Sequence, residues 1–133
     1  SEEELAMVRK TVHDILDGVE RSVPARTART LVAVAGTPTT IQAISLGLPF
    51  YDPEAIHRSW LSTGEAERVL AELARMTTNQ RSAISVMAPG RADVIVAGAV
   101  ILVEVMRRFG SEQALVSETD ILDGLALELL ATL

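Results

Sequence analysis

The feature that most constrains the fold is Leu31-Val32-Ala33-Val34-Ala35-Gly36-Thr37-Pro38-Thr39-Thr40, an unbroken apolar run that turns through glycine into a hydroxyl-rich segment. An apolar run without polar alternation predicts a strand buried on both faces, as in a parallel α/β sheet. The residues after Gly36 predict a short helix to Leu46, closed by Gly47 in the C′ position. The run lies inside Thr30–Tyr51, twenty-two uncharged residues, which is long enough to span a bilayer. Gly36, Pro38, Pro49, Gln42 and the nearby threonines suit strand, turn and helix better than a membrane helix. Val94–Val103, ten residues between Asp93 and Glu104, is too short to span.

A chain of 133 residues makes one domain or one lobe of a larger one. It is 48% hydrophobic and 23% charged, a globular balance. With only Phe50, Tyr51, Trp60 and Phe109 as aromatics, the core must be aliphatic. A net charge of −6 argues against duplex DNA as a partner, although a local basic cluster could still take a phosphate. The absence of cysteine excludes disulfides, thiolate metal sites and a thiol nucleophile, and suits a reducing compartment. No basic segment leads into an apolar stretch at the start, so the expectation is a soluble, cytoplasmic protein. The start at Ser1 without methionine points to a trimmed piece.

Ser1 and Glu4 match a capping box, and Leu5, Val8, Val12, Ile15, Leu16 and Val19 recur at helical spacing from about Glu2 to about Glu20. Pro24 and Ala25–Thr30 form a linker. After the central run, Asp52-Pro53 begins a turn and Glu54–Leu61 reads as a brief helix. Ser62–Glu65 resembles a second capping box, with Ala66, Val69, Leu70, Leu73 and Met76 on the inner face of the helix it opens. Thr77–Arg81 reads as a polar loop and Ala88-Pro89-Gly90 as a turn. Arg91–Phe109 is apolar nearly all round until Glu104, which predicts a central buried helix ended by Gly110. Ala114–Ser117 is a second strand candidate, and Asp120–Leu133 a final amphipathic helix. Two parallel strands are a poor sheet alone, so further strands are expected.

Two places favour chemistry. Gly36-Thr37-Pro38-Thr39-Thr40 would present backbone N–H and hydroxyl groups to an anion at a helix start; equally, Thr37 or Thr39 could simply cap that helix. No Walker-type or dinucleotide-type glycine motif occurs. In Ala88-Pro89-Gly90-Arg91-Ala92-Asp93, an arginine at the first turn of a buried helix opposes the helix dipole. It could pair with Asp93 or Asp52, or reach an anion bidentately. His13 reads as a partly solvated boundary group beside Asp14 and Asp17. His57 has no partner making a metal motif. Asp120 and Asp123 sit where the dipole of the last helix favours aspartate, without further support for catalysis.

These residues carry a resemblance. Val34-Ala35-Gly36-Thr37-Pro38-Thr39-Thr40-Ile41, Tyr51-Asp52-Pro53 with Ile56-His57, and Pro89-Gly90-Arg91-Ala92-Asp93-Val94-Ile95 with Ala97-Gly98 resemble the exopolyphosphatase/guanosine pentaphosphate phosphohydrolase family. Val116-Ser117 followed by Asp123-Gly124-Leu125 fits the family's ending. The match runs over about residues 5–131 and looks most like the short actinobacterial-type members.

The resemblance implies an α/β fold: the ribonuclease-H-like second lobe of the sugar kinase–heat-shock–actin superfamily, helix-rich, with a small and partly missing sheet. It implies that residues 1–133 are the C-terminal lobe of a phosphatase whose first lobe, phosphate loops and catalytic glutamate lie elsewhere. Carried over by residue, Gly36, Thr37, Thr39 and Thr40 would face phosphate, Arg91 would supply charge, and Asp93 would orient it or close the turn. The implied reaction is hydrolysis of a terminal phosphoanhydride of polyphosphate or guanosine pentaphosphate with Mg²⁺, whose ligands lie outside this chain. No catalytic or metal-binding residue is carried over, and the piece by itself is expected to be inactive. A non-catalytic anion-binding module, or a dimerising helical domain using the first and last helices, stands as the alternative.

Overall fold

The computed structural model describes residues 1–132. Helix α1 (Glu2–Ser22) is opened by the Ser1/Glu4 capping box and runs two residues past the expected end. A single 3₁₀ turn, Ala25–Thr27, leads into β1 (Leu31–Val34), followed directly by α2 (Gly36–Ser45). Next come α3 (Pro53–Ile56), β2 (Trp60–Ser62) and α4 (Thr63–Arg75), with the Ser62/Glu65 capping box in place. The chain continues through α5 (Thr78–Ser82), α6 (Ile95–Arg108), β3 (Gln113–Ser117) and α7 (Ile121–Ala131).

The sheet has the order β1-β3-β2. Strands β1 and β3 pair in parallel with Val34 opposite Ser117, as expected. Strand β2 pairs antiparallel to β3 and was not foreseen, because Glu54–Leu61 reads as one helix. The helix stops at Ile56, and Arg58 takes a positive φ of 62° to turn the chain onto the edge of β3. There its N–H donates to Val116 O.

One face of this sheet is buried, not two. Ala33, Leu61, Ala114 and Val116 point inward, while Val32, Val34 and Trp60 remain 50%, 43% and 48% exposed. Successive strand residues alternate between faces, so burial of one set leaves the other outside unless a second layer covers it. Helix α2 contacts β1 and β3, α4 contacts β2, and α6 packs on α4 and α2, so that Ile95, Ala99, Val100, Val103 and Met106 of α6 join Val69 and Leu73 of α4 in one core with the inward strand residues. The expected Arg91–Phe109 helix starts only at Ile95, which places Arg91 and Asp93 in the turn ahead of it. Thr77–Arg81, read as loop, carries its own Thr77/Gln80 capping box and forms α5.

Helix α1 lies on α6, with Val12 and Leu16 buried. Its polar flank closes over Glu104, whose side chain is only 5% exposed. Glu104 Oε2 meets His13 Nε2 at 3.1 Å, while Oε1 meets Arg107 Nη1 at 3.3 Å and Arg9 Nε at 3.4 Å. Arg9, His13 and Arg107 are 45–49% exposed, so water can solvate them if the carboxylate goes. Glu104→Gln is therefore expected to cost about 1.5–3 kcal/mol, the range for hydrogen bonds to a charged group. The check is the midpoint of denaturant unfolding; an unchanged midpoint would show that the clasp contributes nothing.

Candidate functional site: the cleft at the ends of the parallel strands

Because β1 and β3 are parallel and in register, their carboxyl ends emerge side by side, where open α/β sheets hold ligands. From β1 the chain passes through Ala35 at φ 70° and ψ −177°, a conformation almost confined to glycine that costs about 1–3 kcal/mol. That strain turns the backbone directly into α2. No side chain caps this helix, so the reading of Thr37 or Thr39 as a simple cap does not hold. Its leading N–H groups lack intrahelical partners and carry partial positive charge.

Arg91 arrives from the turn before α6 and lies across Gly36. A Cβ on Gly36 would stand 1.4 Å from Arg91 Nη1 and 1.9 Å from both Cζ and Nη2. Only the missing side chain admits the guanidinium; the backbone at Gly36 is ordinary helix. Arg9, Arg26, Arg68, Arg107 and Arg108 all meet carboxylates. Arg91 meets none among the described residues. Asp52 caps α3, accepting from Glu54 N at 3.0 Å and Ala55 N at 3.4 Å. Asp93 is exposed and lines a different groove, so it does not orient Arg91.

The cleft at Arg91 has a volume of about 470 Å³ and includes Thr40, Tyr51, Ser85 and Met87 in its lining. Tyr51 donates its hydroxyl to Glu118 Oε1 at 2.7 Å. Burial, and then the Glu118 carboxylate, hold the phenol above its ordinary pKa, while Thr39 and Arg91 pull the other way. Tyr51 thus stays a neutral donor at physiological pH. Glu118 follows β3, and its N–H donates to His57 Nδ1 at 3.1 Å, which leaves the imidazole proton on Nε2 when His57 is neutral.

The threonines divide. Thr39 is buried, and its hydroxyl donates to Ala35 O at 3.2 Å or Gly36 O at 3.3 Å. Thr40 is buried at the cleft wall. Thr37 instead packs on α6: a Cβ on Gly98 would come within 2.7 Å of its Oγ1. Gly36 and Arg91 are therefore brought together, while the Thr39 hydroxyl is spent on the loop's own carbonyls and Thr37 on packing against Gly98. Tyr51 and Glu118 escaped sequence reasoning as site residues; the Tyr51-Asp52-Pro53 segment was the available signal. Asp120 and Asp123 form the capping box of α7, accepting from Leu122 N and Asp120 N at 2.8 Å.

A larger groove of about 830 Å³ runs between α1, α4 and α6. Its Arg9, Arg107 and Glu67 are committed to ion pairs. Among the described residues no group of three or more His, Cys, Asp or Glu could hold a metal ion. No helix among them is long and apolar enough to cross a membrane.

A parallel strand pair followed by a helix start with no side-chain cap, whose opening glycine carries an arginine without a carboxylate partner among the described residues, defines an α/β protein with a candidate site at its strand ends. The chain belongs to the Ppx/GppA phosphatase family, whose model matches residues 1–133. It is 43% identical over 131 residues to exopolyphosphatase 2 of Mycobacterium tuberculosis, a match covering 96% of this chain and 41% of that protein. It is 38% identical over 98 residues to a bifunctional 3-dehydroquinate synthase/phosphatase of Fusobacterium nucleatum, covering 74% of this chain and 14% of the other. Among solved structures, an exopolyphosphatase-like protein superposes with a TM-score of 0.95 at 30% identity, over 99% of this chain and 44% of that one. The Aquifex aeolicus member of the Ppx/GppA family gives 0.84 at 22% identity, over 99% and 42%, a likeness of fold. The chain thus spans about two-fifths of the length of the curated exopolyphosphatase it matches.

Proposed function

We propose that this chain is the second, ribonuclease-H-like lobe of a cytoplasmic two-lobe hydrolase of the sugar kinase–heat-shock–actin superfamily. In this reading it grips the terminal phosphate of inorganic polyphosphate, or of guanosine pentaphosphate. Water attacks the terminal phosphorus, the bridging P–O bond breaks, the shortened chain leaves, and the proton of the attacking water is released. The observation that carries the reading is the Arg91 guanidinium laid on Gly36 beside the uncapped start of α2, with no carboxylate partner among the described residues. A fixed cation and helix N–H groups would offset charge on the transferred group. Thr39 bonds to the loop carbonyls around them, Thr37 packs that loop on α6, and Thr40 lines the cleft wall.

Mg²⁺ belongs to this reading for the whole protein. Among the described residues no group of three or more His, Cys, Asp or Glu could hold it, and in this reading its ligands lie outside this chain. In this reading the general base, too, lies outside this chain.

The unpartnered apolar surfaces support a missing first lobe. Beside the free edge of β1 lies an apolar groove of about 280 Å³ that includes Leu31, Val34, Gly98 and Ile101. Helix α7 buries nothing, contrary to its expected amphipathic packing: Ile121, Leu122, Leu127 and Leu130 are 84%, 70%, 67% and 65% exposed. With about 3.6 residues per turn, its apolar side chains cover some two-thirds of the circumference. A helix apolar over that arc belongs in an interior. Pairing of two copies through α7, as in a dimerising module, would cover only one side of it.

The isolated chain is expected to release no phosphate from polyphosphate in the presence of Mg²⁺, while the whole protein does. Turnover by the isolated chain, surviving controls for contaminating phosphatase, would overturn the lobe reading. A whole protein without phosphatase activity, in which this chain still dimerises, would favour the association module.

A further inference from the structure

The turn that presents Arg91 packs into the core through Val86, Met87 and Ala92, and a single side chain adds a hydrogen bond to it from outside. Between α5 and α6 the backbone hydrogen bonds are local: Met87 N to Ile84 O at 2.9 Å and Arg91 N to Ala88 O at 3.2 Å. Gly90, at φ 77°, turns the chain just before Arg91. Among the described residues, the only side-chain hydrogen bond reaching this turn comes from Arg81, whose Nη1 donates to Ala92 O at 2.7 Å. The same guanidinium donates from Nε to Leu73 O at 3.1 Å and from Nη2 to Met76 O at 3.0 Å. Those carbonyls lie at the C-terminal end of α4, where a cation is favoured by the helix dipole.

We infer that Arg81 is a positioning residue for the anion site: it ties the turn bearing Arg91 to the end of α4 and so sets the Arg91 guanidinium against Gly36. The inference rests on the reading of Arg91 as the phosphate-gripping cation. Its physical basis is geometric. Helix α4 is fixed in the core by Ala66, Val69 and Leu73, and the planar fork of Arg81 reaches its end and the turn at once. Ala92 follows Arg91, so a shift of the Ala92 carbonyl reaches Arg91 through the Ala92 Cα and the one peptide unit that joins the two residues. A lysine offers a single point of donation and cannot span the same carbonyls. Displacement of a binding group by about 1 Å is enough to cost on the order of a hundredfold in rate.

The test is a double-mutant cycle in the whole protein with inorganic tripolyphosphate as the probe. Arg81→Ala and Arg81→Lys should each lower kcat/KM by about ten- to a hundredfold, the alanine variant more. Adding either change to Arg91→Ala should lower kcat/KM by less than about twofold further, because a residue acting through Arg91 has nothing left to position. Guanidinium ion supplied in solution should partly restore Arg81→Ala but not Arg91→Ala carrying the same change. If Arg81→Ala fails to fold, the lysine variant runs the same cycle. Losses that multiply in the Arg91→Ala background, or a fall in melting temperature with unchanged kinetics, would overturn the inference and leave the anion-site reading standing. An Arg91→Ala protein with unaltered kinetics would remove both.

Discussion

Gly36→Ala is expected to remove most of the activity of the whole protein while leaving its stability intact or slightly raised. The new Cβ would fall 1.4 Å from Arg91 Nη1, far inside any allowed contact, so the guanidinium must leave. What yields is the far end of a flexible side chain, which makes the collision cheap to relieve. Gly36 has helical backbone at the start of α2, where alanine is the better helix former by up to about 1 kcal/mol. Function bears the cost. A displaced Arg91, together with a methyl group where the backbone would approach phosphate, should lower kcat/KM on the order of a hundredfold. Steady-state kinetics on tripolyphosphate and a melting curve on the same sample check both halves. Unchanged kinetics would show that the close approach at Gly36 serves packing alone.

Arg91→Ala should weaken substrate use by about 1.5–3 kcal/mol, the contribution of a hydrogen bond to a charged group. That corresponds to a loss of about ten- to a hundredfold in kcat/KM. Arg91→Lys should recover only part, since an ammonium does not reproduce the planar fork. Stability should not move, because Arg91 has no ion-pair partner among the described residues to lose and lies outside the core. A sharp fall in melting temperature with unchanged kinetics would make this arginine structural and sink the site assignment. Combined with Gly36→Ala, the change should add little, since both act on the same guanidinium.

Much of the chain was legible because its signals are local. The Ser1/Glu4 and Ser62/Glu65 capping boxes start α1 and α4 where the spacing places them, since a cap needs only residues three apart. The central apolar run and Ala114–Ser117 form the two parallel strands expected of them, whereas α6, expected to lie across that pair, packs mainly on α1, α4 and α2. The misses share a cause. Strand β2 is too short to show a period of its own, and it exists because β3 offers an unpaired edge. Helix α5 is short enough for its capping box to pass as loop chemistry. The outer faces of β1 and α7 read as buried or amphipathic, yet they lie open because apolarity states a preference for cover without supplying it.

The sequence by itself determined the longer helices and the two parallel strands, that the core is aliphatic, and that Gly36 and Arg91 are candidates for an anion site. Those properties follow from propensity, periodicity and capping, each expressed within a few residues. Only the tertiary structure decided that Arg91 leaves Asp52 and Asp93 alone and lies on Gly36, and that Tyr51 reaches Glu118 across the strand ends. It also decided that Arg81 spends its guanidinium on carbonyls of α4 and of the turn before α6. These contacts join residues far apart in the chain. Which partner a long cationic side chain chooses depends on where packing brings the backbones, and no local spacing encodes that distance.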